Sequence, residues 1–146
     1  MSLSVAVILM FLSSFFAATL FPAQSEGIFL WLISLDQFPV WILFFAASLG
    51  NILGSCINWI LGKYMNRWKD KKWFPFSIEQ FKKAEYFFQR YGVWSLLGAW
   101  LPVIGDPLTL AAGVLNVKFS VFLIYVILGK AGRYLFLLWG AEYLLK

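Results

Sequence analysis

The chain has 146 residues, 62% hydrophobic, 21% aromatic and only 13% charged, too little polar surface to enclose that much apolar side chain in water, so the composition specifies an integral membrane protein. Its formal net charge is +5, it has no histidine, and Cys56 is its single cysteine. The commonest general base, a multi-cysteine metal site and an internal disulfide are thereby excluded; no nucleophile–base set remains for an enzyme, and no cofactor or metal is expected.

The first apolar stretch, residues 3–35, is interrupted at Pro22-Ala23-Gln24-Ser25-Glu26. Met1-Ser2-Leu3-Ser4 lacks a basic n-region, so the stretch is expected to stay in the mature protein. Residues 39–62 form a 24-residue apolar run, longer than the roughly 20 residues that cross a ~30 Å hydrocarbon core, and are predicted as a transmembrane helix. Ala46, Gly50, Gly54 and Asn58 recur along it every four residues, flanked by Ala47, Asn51 and Ser55. Such a small, polar face lets another helix approach closely in lipid. Asn51 and Asn58 each place there an amide that needs partners.

Charge then concentrates. From Lys63 to Arg90 there are eight basic and three acidic residues, a net of +5 that equals the charge of the whole chain. The positive-inside rule places the linker 63–92 in the cytoplasm, and a nucleic-acid patch does not suit so apolar a chain. Ser77-Ile78-Glu79-Gln80 matches a capping box, and Ile78, Phe81, Ala84, Phe88 and Tyr91 follow at helical spacing. An amphipathic helix lying on the membrane surface is predicted.

The third stretch, 93–117, breaks between Pro102 and Pro107. Its limbs, 93–101 and 107–115, are nine residues each, which as α-helix reach only ~14 Å. A re-entrant hairpin satisfies both limbs. Asp106-Pro107 also suits a helix start, with aspartate as N-cap and proline at the first helical position. The fourth stretch, 119–145, is 27 residues long and is the second predicted transmembrane helix. Gly129, Arg133 and Gly140 share one face of it, with Lys130 alongside.

The broken stretches repeat. Pro22 and Glu26 recur 80 residues on as Pro102 and Asp106, and Leu35-Asp36 as Leu115-Asn116; the register then slips by one to align Gly50 with Gly129 and Gly54 with Arg133. The expected fold is a single all-α integral membrane domain of two inverted repeats, 1–62 and 93–146, each a re-entrant hairpin (3–35, 93–117) followed by a transmembrane helix (39–62, 119–145). Hairpin tips fall at Pro22 and Ser25 and at Pro102, Gly105 and Pro107; helix packing falls to Gly50, Gly54 and Gly129.

Glu26, Asp106, Asn51, Lys130 and Arg133 are the candidate translocation residues. Charge at membrane depth costs roughly 2.5–3.5 kcal/mol on insertion scales, which a mere cap does not require. Arg133 is expected to pair with Glu26 or Asp106, or with a lipid phosphate, and a buried carboxyl offers a route for proton coupling. Simple capping, or an ion pair that only balances charge, is the competing explanation.

Phe88-Gln89-Arg90-Tyr91-Gly92, the Pro102 turn, Ala112-Gly113, Phe119, Gly129, Arg133 and Trp139-Gly140 resemble the DedA family, also called the VTT or SNARE-associated Golgi protein domain. Gly105-Asp106-Pro107 and the short length look most like its small YqaA-type bacterial branch. The resemblance implies a multi-pass bacterial inner-membrane protein with two opposed re-entrant hairpins that moves lipids across the bilayer. The lipids it implies are undecaprenyl phosphate or phospholipids, with proton or membrane-potential dependence, and Glu26 matches the first hairpin's acid. Many members carry arginines around the second hairpin's proline; here Ala99, Trp100, Gly105 and Asp106 stand in their place. The function expected is a lipid translocase, possible as a homo-oligomer. A proton-coupled transporter of a small solute or ion and a non-transporting scaffold or assembly factor are the alternatives.

Overall fold

The structure is a computed structural model that describes residues 1–19, 24–65, 77–101 and 104–144. Pro22, Pro102 and most of the basic part of the linker lie outside the described residues. Every regular element described is helical. The helices are α1 (Leu3–Thr19), α2 (Gln24–Ser34), α3 (Val40–Lys63), α4 (Ile78–Tyr91), a 3₁₀ segment (Gly92–Trp100), α5 (Gly105–Val114) and α6 (Phe119–Leu144).

Two of these, α3 and α6, are long and apolar enough to cross a bilayer. A buried core helix of a soluble protein passes the same length test, so exposure decides. On α3, Trp41, Phe45, Leu49 and Leu53 are exposed; on α6, Ile124, Leu128, Phe136 and Trp139 are, the last two at 69%. Long stripes of bare aromatic and aliphatic surface are tolerable only in lipid.

The chain forms two compact units. The first comprises Met1–Gly54 and Lys130–Lys146. In it α1 packs on α2, around Met10, Phe29, Leu32, Leu43 and Leu138. Gly50 and Gly54 hold α1 close: a Cβ on Gly50 would collide with the Phe11 carbonyl, and one on Gly54 would lie 2.6 Å from Ala18 Cβ. This is the small-residue packing that lipid favours, since apolar burial alone does not drive helices together there.

The second unit is Ser55–Gly129. Its helix α4 begins at Ser77, whose hydroxyl accepts from the Gln80 N–H while Gln80 accepts from the Ser77 N–H, a complete capping box. Ala84 and Phe88 are the buried residues of α4, which packs on α5 and on the 3₁₀ segment. Glycine again sets the approach. Side chains on Gly62 and Gly113 would strike the backbones at Leu110 and Trp59 respectively, so α3 and α5 meet backbone to backbone. Gly129 similarly faces the Leu97 carbonyl, 3.0 Å from where its Cβ would stand.

Two details differ from the sequence expectation. The limb expected at 93–101 is wound as a 3₁₀ helix over Gly92–Trp100, at ~2.0 Å rise longer for its length than an α-helix. Asp106 is not the N-cap of α5: that position is Ile104, and Asp106 and Pro107 lie inside the first turn. The helix starts earlier because the Gly105 N–H reaches the Leu101 carbonyl at 2.9 Å. Pro107 tolerates this, since first-turn N–H groups have no intrahelical partner. Gly105 must be glycine there, for a Cβ would overlap the Ala99 carbonyl.

The linkers after α2 and α5 each carry one left-handed residue. Asp36 (φ 50) and Asn116 (φ 53) are the positive-φ non-glycine residues among those described. Their N–H groups each bond back three residues, to Ile33 and Gly113, at 3.0 Å. Aspartate and asparagine are the side chains that best tolerate this left-handed geometry.

Candidate functional site

The first unit buries a chain of polar side chains drawn from α1, α2, α3 and α6. Lys130, 4% exposed, donates from Nζ to Asn51 Oδ1 at 2.6 Å. An ammonium only donates, so it fixes the Asn51 amide with oxygen toward lysine and nitrogen away from it. Asn51 Nδ2 accordingly donates to the Tyr134 hydroxyl at 3.2 Å. That hydroxyl also lies 3.2 Å from Ser14 Oγ and 3.0 Å from Ser25 Oγ. One phenolic hydrogen serves one serine, and the other serine donates to the phenol. Tyr134 is 1% exposed and its ring meets Phe29 edge-on at 5.4 Å, so the phenol has a fixed place at which four helices join.

Beside this chain stands an ion pair. Glu26, in the first turn of α2, pairs with Arg133 of α6. The residue before Glu26 is Ser25 and the residue after Arg133 is Tyr134, so pair and network are continuous through the backbone. The positive end of α2 favours a carboxylate at Glu26. The two side chains are 25% and 22% exposed; in lipid each needs the other, because a lone charge at that depth is costly.

The second unit buries polarity of a different kind. Asn58 Nδ2 donates to Thr109 Oγ1 at 3.1 Å, and Thr109 donates to the Asp106 carbonyl at 2.6 Å. Trp59 Nε1 donates to the Val117 carbonyl at 3.1 Å. Asp106 belongs to this unit and is half-buried. Of the two acids expected as partners of Arg133, Glu26 is the one paired in the first unit.

A model of the VTT domain matches residues 5–141. The chain belongs to the VTT domain family. The inner membrane protein YqaA of Escherichia coli (strain K12) is 35% identical over 134 residues, covering 92% of this chain and 89% of that protein. The protein of the same name in Shigella flexneri gives the same figures. An uncharacterized protein of Haemophilus influenzae is 36% identical over 137 residues, covering 88% of this chain and 83% of its own length. YqaA is a DedA-family protein, so the resemblance noted in the sequence is correct. No solved structure matches.

Four of the five candidate residues of this VTT-domain chain therefore come together in one unit: Glu26, Asn51, Lys130 and Arg133. Ser25, expected at a hairpin tip, is part of the same network. Tyr134 and Ser14 were not singled out from the sequence. Tyr134 carried a usable signal, since it follows an intramembrane arginine directly and its phenol needs a partner when buried. Ser14 carried none, for serine is unremarkable in an apolar helix.

Proposed function

We propose that this membrane protein is a lipid translocase of the bacterial inner membrane, acting on a phospholipid or polyprenyl phosphate. In this reading α1–α2 and the 3₁₀ segment–α5 are re-entrant hairpins of two inverted repeats, and the basic linker is cytoplasmic. Several observations support it: the helices of both pairs are short, the αL residues Asp36 and Asn116 are 80 residues apart, and the Escherichia coli and Shigella flexneri relatives bear an inner-membrane name. Asn51 and Lys130 add to this. They lie 79 residues apart, in the register that aligns Gly50 with Gly129, and they touch. Equivalent positions that contact each other are what a two-fold axis between repeats produces.

The ion pair supplies the mechanism. A lipid phosphate entering beside α2 competes with Glu26 for the planar fork of Arg133, which binds phosphate as readily as carboxylate. The displaced carboxylate is the acid this reading assigns to proton coupling, and arginine then balances the phosphate. Lys130, held through Asn51, is a second cation for the headgroup. When the lipid leaves, the pair re-forms. Asp106, in the first turn of α5, is the corresponding acid of the second repeat.

The observation that carries the reading is the Glu26–Arg133 pair set against a buried network in a membrane-spanning chain. Reconstitution in liposomes with fluorescent phosphatidylglycerol, with and without a pH gradient, tests it. Wild-type protein should move the lipid between leaflets, and both Glu26→Gln and Arg133→Gln should abolish that while still inserting. Normal lipid movement in both variants would overturn it. A pair that only balances charge, as in a scaffold, predicts instead that neither protein moves lipid and that the double neutral variant is fully stable. Proton flux without lipid movement would point to a small-solute transporter.

A further inference from the structure

The second unit contains a groove of about 250 Å³ between α4, the 3₁₀ segment and α5, lined by residues that include Phe87, Tyr91, Trp94, Gly98, Leu101 and Leu108. Its shape follows from the 3₁₀ winding. At three residues per turn, side chains at i and i+3 eclipse, so Ser95, Gly98 and Leu101 form one straight ridge along it. Gly98 adds no side chain to that ridge, and the nearest atoms to its missing Cβ are the tips of Leu101 and Leu108 at 3.3 and 3.7 Å. The Ser95 hydroxyl is turned to the Gly92 carbonyl at 2.7 Å, so it offers the groove no donor. What remains is aromatic and aliphatic: Phe87 stacks on Tyr91 at 6.2 Å and Trp94 meets Tyr125 edge-on at 5.6 Å.

The rim is cationic. Arg90 is exposed, and its guanidinium is held in place by donating to the Tyr86 hydroxyl at 3.0 Å and lying 5.7 Å from the Tyr91 ring centre. Tyr91 is itself a lining residue. Among the described residues Arg90 thus spends one of its five N–H groups on Tyr86. Lys83, by contrast, is paired with Glu79 at 3.5 Å. An apolar slot with a positioned guanidinium at its rim is complementary to an amphiphile, with an apolar tail and a compact anionic head.

We propose that this groove seats one acyl chain of an anionic phospholipid, with its phosphate on Arg90. The inference needs only that α4 lie at the membrane interface, and it stands whether or not the first unit moves lipid. The bound lipid fastens α4 to the hairpin that it covers.

The test uses the full-length protein in vesicles of phosphatidylcholine doped with either phosphatidylglycerol or phosphatidylcholine bearing a diazirine on the acyl chain. After illumination, the labelled peptides are mapped by mass spectrometry. Label should concentrate on residues 87–108, with the phosphatidylglycerol probe giving at least threefold more there than the phosphatidylcholine probe. Arg90→Gln should remove that preference. Gly98→Leu, and separately Ser95→Leu, should fill the groove and cut labelling of 87–108 at least fivefold, while labelling of the lipid-facing peptide around Phe136 stays at the wild-type level and reports intact insertion. Equal labelling of 87–108 by both probes, or labelling unchanged in both filled variants, would overturn the proposal and leave only the general lipid shell. If one variant loses the Phe136 control, the other decides.

Discussion

The two compact units assemble by the same means and bury different chemistry. In each, a long helix presents glycine and the backbone of a shorter element lies against it: Gly50 and Gly54 against α1 in the first, Gly62 against α5 and Gly129 against the 3₁₀ segment in the second. The interiors then diverge. The first encloses an ammonium, a guanidinium and a carboxylate together with an amide, a phenol and two serines. In the second an amide nitrogen donates to a hydroxyl and that hydroxyl to a backbone carbonyl, through Asn58, Thr109 and Asp106. Close packing is therefore the common requirement of residence in lipid, whereas among the described residues the buried ammonium, Lys130, and the Glu26–Arg133 pair lie in the first unit. That is where the cost of charge must be matched by a role.

The contrast can be broken at several points. The largest effect is expected where packing is backbone to backbone. Gly113→Leu places a branched side chain against the Trp59 carbonyl, has no flexible neighbour to displace, and should prevent recovery of folded protein after detergent extraction, as read by size-exclusion chromatography. Gly27, with nothing within 4 Å of its missing Cβ, should accept alanine with no loss of yield. Equal recovery of both variants would remove glycine packing as the common requirement.

Next in size is the ion pair. Arg133→Gln and Glu26→Gln should each reduce lipid movement at least tenfold and destabilise the protein by about 2 kcal/mol, because each leaves a charge in lipid without its partner. The double variant should recover most of that stability and none of the activity. Recovery of activity as well would show that the charges serve only each other. Arg133→Lys should retain stability better than activity, since a point charge cannot reproduce a two-pronged phosphate contact.

Tyr134→Phe removes the hydroxyl shared by Asn51, Ser14 and Ser25 and should cost about 1 kcal/mol in a detergent melt, with Thr109→Val in the second unit costing about 0.6 kcal/mol or less. A larger effect at Thr109 would reverse the assignment of which unit depends on its polar interior. The smallest change is expected in the linkers: Asp36→Gly and Asn116→Gly relieve the left-handed conformation at both sites and should each shift stability by only a few tenths of a kcal/mol, in the same direction. Opposite signs would separate two linkers that share a geometry.

What the sequence revealed follows from contrast with its background. Glu26, Asn51, Lys130 and Arg133 stood out because charge and amide are costly in an apolar run, and that cost forces them together. The 80-residue offset was legible for the same reason, and Asp36 (φ 50) and Asn116 (φ 53) stand at that offset. Tyr134, next to Arg133, carried a weaker signal than the charges, since tyrosine is common in membrane helices and its partners on α1, α2 and α3 are set by the fold. The 3₁₀ winding of Gly92–Trp100 was also illegible. Composition there suits an α-helix equally, and the choice is made by the tertiary fit of Ala99 and Leu97 against Gly105 and Gly129. The start of α5 depended on a close approach six residues back, the bare Cα of Gly105 against the Ala99 backbone, and not on the capping preference of Asp106.

The order in which the chain leaves the ribosome gives the first unit an exposed phase. Ser14, Ser25, Glu26 and Asn51 are synthesised early, but all the α6 groups that satisfy them, Lys130, Arg133 and Tyr134, come after residue 129. Until then the nascent chain carries an acid and an amide at membrane depth without their partners, which the insertion machinery has to hold at an interface between itself and lipid. The neutral Asn58–Thr109 contact has no such delay, since both residues precede α6. A chain ending before Lys130 would therefore keep both residues of the second-unit polar contact while leaving Glu26 without Arg133.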